Sequence, residues 1–304
     1  MATHWVLGQG GLLGSTLSKK LAQSGSQLYE APTKFSWGEL DVLKSQLLAA
    51  TNAFSASLNG EQWTIYWAAG VGTMHSSEST MQSETEALKI LVKCILDNPI
   101  LSTIGGRFIF SSSAGAIYSG VESGLITDLT DPQSINFYGD YKLQQEKIVS
   151  QLTHSLESSK TFNVINVFIF RISTMYGTKQ NINKKQGLLT EIARRALRGQ
   201  PIHIFVPLDT MRDYVHVEDV AARIISVSAD TSSDSKVTVE VIASGSSVTI
   251  AAILGMFKRA LKLPLRIIVR KDQNAKNYKR VIRFNLQNKG TLETTRHRTL
   301  ESAL

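Results

Sequence analysis

The sequence predicts an α/β protein built on a doubly wound parallel sheet, and three observations lead there. Short apolar runs alternate with segments of helical hydrophobic period through residue 172, the first run leads straight into a glycine cluster, and the 304 residues can bury one large core or two packed lobes. In such a sheet ligands bind beyond the carboxyl ends of the strands. The residues following each apolar run are therefore the candidates for chemistry.

Trp5-Val6-Leu7 forms the first strand, and Leu13, Leu17 and Leu21 recur at helical spacing behind the glycines. Strands are expected at Gln27–Tyr29 and Trp63–Trp67, with a helix over Lys44–Ala53 between them. From Glu84 to Asp97 apolar residues at 87, 88, 91, 92, 95 and 96 make a helical stripe. Arg107–Phe110 reads as a buried strand, Tyr141–Leu156 as a helix and Val164–Ile172 as a long apolar strand. Beyond Gly177 the pattern loosens. A basic polar stretch covers Lys179–Gln186, followed by a helix over Leu188–Arg198, a strand-like Pro201–Val206, and a helix over Val220–Ile225 that Asp219 is suited to cap. Ser226–Lys236 reads as a surface loop, and the polar tail after Gly290 is expected to fray.

Composition narrows the class. With 42% hydrophobic and 19% charged residues, 21 Gly and 6 Pro, the chain is neither disordered nor a fibrous repeat. The single cysteine, Cys94, has no internal disulfide partner, and its apolar neighbours place it in a helix core, which points to a reducing compartment. No apolar run approaches the ~20 residues needed to cross a bilayer, and Met1-Ala2-Thr3-His4 lacks the start of a signal peptide, so a cytoplasmic protein without a membrane partner is expected. Lys and Arg outnumber Asp and Glu by 33 to 25, and the net charge of +8 suits a phosphate-bearing partner. No basic-aromatic motif accompanies that surplus, so nucleic acid is not expected as a partner, and neither is a metal.

The glycines at 8, 11 and 14 stand between the first strand and the first helix. Glycine permits a tight turn and the close approach of a pyrophosphate to the helix-end amides, here those of Leu12, Leu13 and Gly14. Tyr138 and Lys142 lie four residues apart on one helix face, where a cation near a phenol favours the phenolate and so proton exchange with a sugar hydroxyl or ketone. The plainer alternative makes Tyr138 a helix cap and Lys142 a solvated charge. Ser111, Ser112 and Ser113 follow the buried strand at its carboxyl end, where Ser113 could bind the reacting oxygen while Ser111 and Ser112 serve turn and cap.

Taken together, the GxxGxxG at 8–14, Ala68-Ala69-Gly70, Ser-Ser-Ser-Ala at 111–114, YxxxK at 138–142, Arg171 with Tyr176-Gly177, and Arg212-Asp213-Tyr214-Val215-His216-Val217-Glu218-Asp219-Val220-Ala221 resemble an extended short-chain dehydrogenase/reductase of the NAD-dependent epimerase/dehydratase family. Many members of that family act on nucleotide-linked sugars. The resemblance implies Ser113, Tyr138 and Lys142 as the catalytic set. It also places Ala68, Ala69, Gly70 and residues 174–177, Met175 among them, beside the cofactor, with Arg212 and Thr174 on the substrate side. An ion pair with Asp209 or Asp213 is the structural alternative for Arg212. Lys184 and Lys185 could help hold a diphosphate, with a solvated basic face as the alternative. The implied division is a Rossmann dinucleotide-binding domain over 1–177 with 205–245, and a smaller C-terminal substrate lobe over 178–204 with 246–304. A homodimer through the helices near 84–98 and 141–156 is also implied, as is a place in surface polysaccharide or deoxysugar synthesis.

The chain departs from the family pattern in three places. Ala114 and Gly115 follow Ser113 where dehydratases carry acids, which favours keto-sugar reduction or epimerisation. Thr174 replaces the usual asparagine of Arg-x-x-Asn. After the second strand comes Ala31-Pro32-Thr33-Lys34 in place of the acid that holds the NAD ribose, with Glu30 slightly early. Thr33 and Lys34 could hold a 2′-phosphate, so of NAD and NADP the balance leans to NADP. Asp41 matches either an adenine contact or a helix cap. Two other functions stay open: a reductase of another small carbonyl compound, and a catalytically silent dinucleotide-sensing protein.

Overall fold

The computed structural model describes residues 2–74, 76–153, 164–178, 180, 187–230, 235–270, 279–286 and 298–303. Its first half alternates strand and helix: β1 (Thr3–Leu7), α1 (Leu12–Gln23), β2 (Gln27–Tyr29), α2 (Leu40–Ala56), β3 (Trp63–Trp67), α3 (Glu78–Leu96), α4 (Pro99–Ile104), β4 (Gly106–Ser113), α5 (Ala114–Ile117), β5 (Leu125–Ile126) and α6 (Phe137–Ser150). The second half continues with β6 (Ile165–Ile172), β7 (Thr174–Tyr176), α7 (Leu188–Leu197), β8 (Ile202–Ile204), β9 (Met211–His216), α8 (Val217–Ala229), β10 (Val237–Ile242), β11 (Ser247–Thr249), α9 (Ile250–Leu261), β12 (Ile267–Val269), β13 (Arg283–Phe284) and α10 (Leu300–Ala303).

Six strands form one sheet in the order β2-β1-β3-β4-β6-β10, every pair parallel. The order reverses between β1 and β3, so a crevice opens where their carboxyl ends part. Alternate strand residues face opposite sides. Trp5, Leu7, Trp63, Ile65 and Trp67 pack under α2 and α3, whereas Val6, Tyr66, Ile109 and Phe170 pack under α1 and α8. Burial of both faces explains why the inner strands, β3 above all, read as apolar runs, whereas the edge strands β2 and β10 are only partly buried. Away from the sheet, Ile192, Ile202, Ile204, Ile253 and Phe257 build a separate small core.

Several boundaries differ from the sequence expectation. β4 runs on to Ser113 because it pairs with β6 through Ser113↔Ile172, so the serine triplet lies inside the strand. α6 begins at Phe137, capped by Asn136, whose Oδ1 accepts the Gly139 amide at 2.9 Å, and it ends at Ser150 before a single 3-10 turn. His216, not Asp219, caps α8: its Nδ1 accepts the Glu218 amide at 3.3 Å, while Asp219 sits in the first turn. That helix reaches Ala229, so Ser226–Ala229 is not loop. In the tail, Leu300 is buried with the small core rather than frayed. Among the described residues no helix is long and apolar enough to cross a membrane, and no side-chain cluster could hold a metal ion.

Candidate functional site

The turn after β1 is shaped by what has no room to be there. Gly8 has φ +92°, and a Cβ on it would stand 2.5 Å from the Ala68 carbonyl oxygen and 2.6 Å from the Ala69 nitrogen. A Cβ on Gly14 would stand 2.1 Å from the Gly8 oxygen, so α1 is pressed against the turn and the turn against residues 68–69. Gly11 is looser, at 3.3 Å from the Gly8 oxygen, and its amide donates to that oxygen at 2.9 Å. α1 has no capping side chain and no acid in its first turn. The amides of Leu12, Leu13 and Gly14 therefore lack intrahelical acceptors at the positive end of the helix, an arrangement that fits a pyrophosphate. The β7 exit closes in from the other side, since a Cβ on Gly177 would meet Leu12 Cδ1 at 3.4 Å, and Met175 packs in the same apolar layer as Leu12 and Ala68.

Ser113 ends β4, half-buried, and Tyr138, also half-buried, is the second residue of α6. Lys142, one turn on, is buried, which overturns the solvated alternative for it, as the Asn136 cap overturns the cap alternative for Tyr138. The Lys142 ammonium donates to Glu84 Oε1 at 2.8 Å and to Gln145 Oε1 at 2.9 Å, and its Nζ lies 5.8 Å from the centre of the Tyr138 ring. Glu84 Oε2 accepts the amides of Val71 and Gly72, both at 2.9 Å. Burial alone would raise the Glu84 carboxyl and lower the Lys142 ammonium. Their mutual attraction prevails, so the carboxyl is held below the usual range and the ammonium above it, and both stay charged at neutral pH.

A second network lies one turn along α6. Ser112 Oγ donates to Glu146 Oε1 at 2.6 Å, Arg171 Nη2 pairs with Glu146 Oε2 at 2.7 Å, and Arg171 Nη1 donates to Tyr118 OH at 2.8 Å. Ser112 is thus a buried tie between β4 and α6, and Ser111 a strand residue, instead of the turn and cap groups expected. Sequence reasoning missed both Glu84 and Glu146. A signal existed for each: Glu84 stands four residues before Leu88 on the apolar stripe, and Glu146 continues the row of Tyr138 and Lys142 at four-residue steps. A cavity of about 480 Å³ beside Glu146 and Arg171 is lined from α6, β6 and β10 but by none of Ser113, Tyr138 and Lys142, so it belongs to the sheet edge.

β2 ends at Tyr29, so Glu30 is the first residue past the strand, and Thr33 and Lys34 are exposed on the loop beyond. The Lys34 carbonyl accepts from Gln46 Nε2 at 3.2 Å, which ties this loop to α2. Asp41 is exposed in the first turn of α2; Glu39 occupies the cap position, so the cap alternative for Asp41 fails. Thr174 opens β7, beside β9 with its half-buried Arg212. Arg212 Nη1 donates to the Met211 carbonyl at 2.7 Å. The carboxylates proposed as its ion-pair partners are engaged elsewhere, Asp209 with Arg280, and Asp213 with Ser173 Oγ at 2.7 Å and Ser244 Oγ at 2.7 Å. Lys184 and Lys185 lie outside the described residues.

Residues 5–241 match the model of the NAD dependent epimerase/dehydratase family. A curated relative, the uncharacterized protein y4nG of Sinorhizobium fredii (strain NBRC 101917 / NGR234), is 25% identical over 229 residues, covering 74% of this chain and 53% of the relative. The chain thus spans about half the length of that relative. Among solved structures, MoeE5 in complex with UDP-glucose and NAD shares 19% identity at a TM-score of 0.76, with 100% of this chain and 96% of that chain covered. The UDP-glucose 4-epimerase of Thermotoga maritima with UDP-glucose shares 18% identity at a TM-score of 0.78, with 99% and 96% covered. At these identities the two structures establish likeness of fold.

Proposed function

The chain belongs to the NAD-dependent epimerase/dehydratase family, and from that premise we propose that it is an NAD(P)-dependent reductase or epimerase of a nucleotide-linked keto sugar. The observation that carries this reading is the burial of Lys142, ion-paired with Glu84, with its Nζ 5.8 Å from the Tyr138 ring, which keeps a cation near a phenol at the end of the sheet rather than in solvent. Nicotinamide, when bound, supplies the hydride acceptor and donor. The amides of Leu12, Leu13 and Gly14 would hold the pyrophosphate of NAD(P), with Ala68, Ala69, Gly70 and Met175 lining the cofactor. Ser113 Oγ hydrogen-bonds the reacting oxygen, Tyr138 gives or takes the proton at its phenol oxygen, and Lys142 keeps a positive charge beside it. Arg212 binds substrate phosphate, with Thr174 on the neighbouring strand. The absence of an acid after Ser113, where Ala114 opens α5, supports reduction or epimerisation over dehydration.

For the cofactor the reading stays NAD or NADP with a lean to NADP: Thr33 and Lys34 on the loop past β2 would hold a 2′-phosphate, and Glu30, the first residue after the strand, would be the group accepting from the ribose hydroxyls of NAD. A homodimer through α3 and α6, the division into a dinucleotide-binding domain and a substrate lobe, and a cytoplasmic role in polysaccharide or deoxysugar synthesis complete the proposal. The test is a screen of nucleotide sugars and their 4-keto derivatives, read by NAD(P)H absorbance and product NMR. Tyr138→Phe should lower turnover by at least ~100-fold while leaving cofactor affinity within about twofold. Full turnover in that variant would defeat the assignment, and conversion without net NAD(P)H consumption would select epimerase over reductase.

A further inference from the structure

Glu84 occupies a core position on α3, its side chain 4% exposed, where a carboxylate is costly to bury unless it is paired. Its two oxygens serve two different elements. Oε1 accepts from Lys142 Nζ at 2.8 Å and from Gln145 Nε2 at 3.3 Å, both on α6. Oε2 accepts the Val71 and Gly72 amides in the stretch leaving β3. That stretch is moulded onto the carboxylate, because a Cβ on Gly72 would stand 3.1 Å from Oε2 and one on Gly70 3.4 Å from Oε1. Gln145 Nε2 also donates to Thr85 Oγ1 at 2.9 Å, which locks α3 to α6 beside the pair.

We propose that Glu84 is a positioning residue for proton transfer: it holds the Lys142 ammonium beside Tyr138 and cancels part of its field, so the pair, not the lysine alone, sets the pH range in which Tyr138 works. This rests on the reading of Tyr138 as the proton-transfer group. The other charged and titratable groups facing Lys142 are Tyr138 and Glu146 on α6, and Glu146 is itself neutralised by Arg171 from β6, whose guanidinium also binds Tyr118. Replacing Glu84 leaves Tyr138, Glu146 and Arg171 in place but removes the attraction that opposes the burial of Lys142, so the ammonium's own range falls. Over the pH at which it stays protonated, it stands uncompensated near the phenol and favours the phenolate.

Glu84→Gln keeps the shape and an oxygen for the two amides but removes the charge. In the alcohol-oxidising direction, the acid limb of the kcat against pH profile should move down by about one pH unit. Glu84→Asp, whose carboxylate is set back by one methylene, should move it the same way by less. The companion measurement needs neither cofactor nor substrate: the phenolate ultraviolet absorbance of Tyr138, taken as each protein minus its Tyr138→Phe form, titrated in parallel. A downward shift in that titration supports the proposal even if no nucleotide sugar is turned over, in which case only the functional reading fails. A phenolate titration that superposes on wild type, in whichever of the two variants folds, overturns the proposal, because a purely structural Glu84 would change stability or amplitude without moving the midpoint.

Discussion

Replacing Gly14 with alanine should destabilise this protein, although alanine is ordinarily the better helix residue by about 1 kcal/mol. Gly14 is the third residue of α1 and is buried. Its new Cβ would stand 2.1 Å from the Gly8 oxygen, 2.6 Å from the Gly8 carbonyl carbon and 3.0 Å from the Gln9 nitrogen, all of them backbone. Ordinary contact begins at about 3.4 Å, so the Gly8 oxygen would be more than ~1 Å too close. The turn cannot retreat, because Gly8 already sits with its bare Cα against residues 68–69. Overpacking of this kind costs roughly 1–3 kcal/mol, and backbone atoms on both sides put it at the upper end, so the net loss is about 1–2 kcal/mol after the gain in propensity. In a chain of this size that lowers the thermal midpoint by about 2–8 °C. Gly11→Ala is the control: its Cβ would be 3.3 Å from the Gly8 oxygen, at an ordinary φ of −87°, and it should stay within about 0.5 kcal/mol of wild type. Urea and thermal unfolding read the stability, and calorimetry with NAD and NADP reads the cradle, where Gly14→Ala should lose at least ~10-fold in affinity. An equal or higher midpoint for Gly14→Ala, or a ranking of the two variants opposite to this one, would refute the packing argument.

The remaining predictions concern the proposed substrate site and the proposed cofactor site. Arg212→Ala should raise the substrate KM by about tenfold or more while leaving the cofactor KM within about twofold, because the guanidinium–phosphate contact proposed for it would be lost on the substrate side alone. Equal effects on both would instead mark Arg212 as a support for β9 through its bond to the Met211 carbonyl. Glu30→Ala should weaken NAD by roughly tenfold and NADP less, and Lys34→Ala should weaken NADP alone. Dissociation constants for both cofactors on the three proteins decide this, and a Glu30→Ala protein with unchanged NAD affinity would remove Glu30 from the ribose site.

What the sequence by itself determined is the layered α/β architecture and the linear motifs. The strand Trp63–Trp67 was legible because a strand buried on both faces is written as an unbroken apolar run, and α3 because its stripe has the helical period. The glycine spacing and the row of Tyr138 and Lys142 are likewise local, set within one turn or one helix. Only the tertiary structure decided which partners those motifs have. Lys142 meets Glu84 across 58 residues of chain, and Ser112, Glu146 and Arg171 converge from three elements, because the pairing depends on how α3 and α6 lie against the sheet.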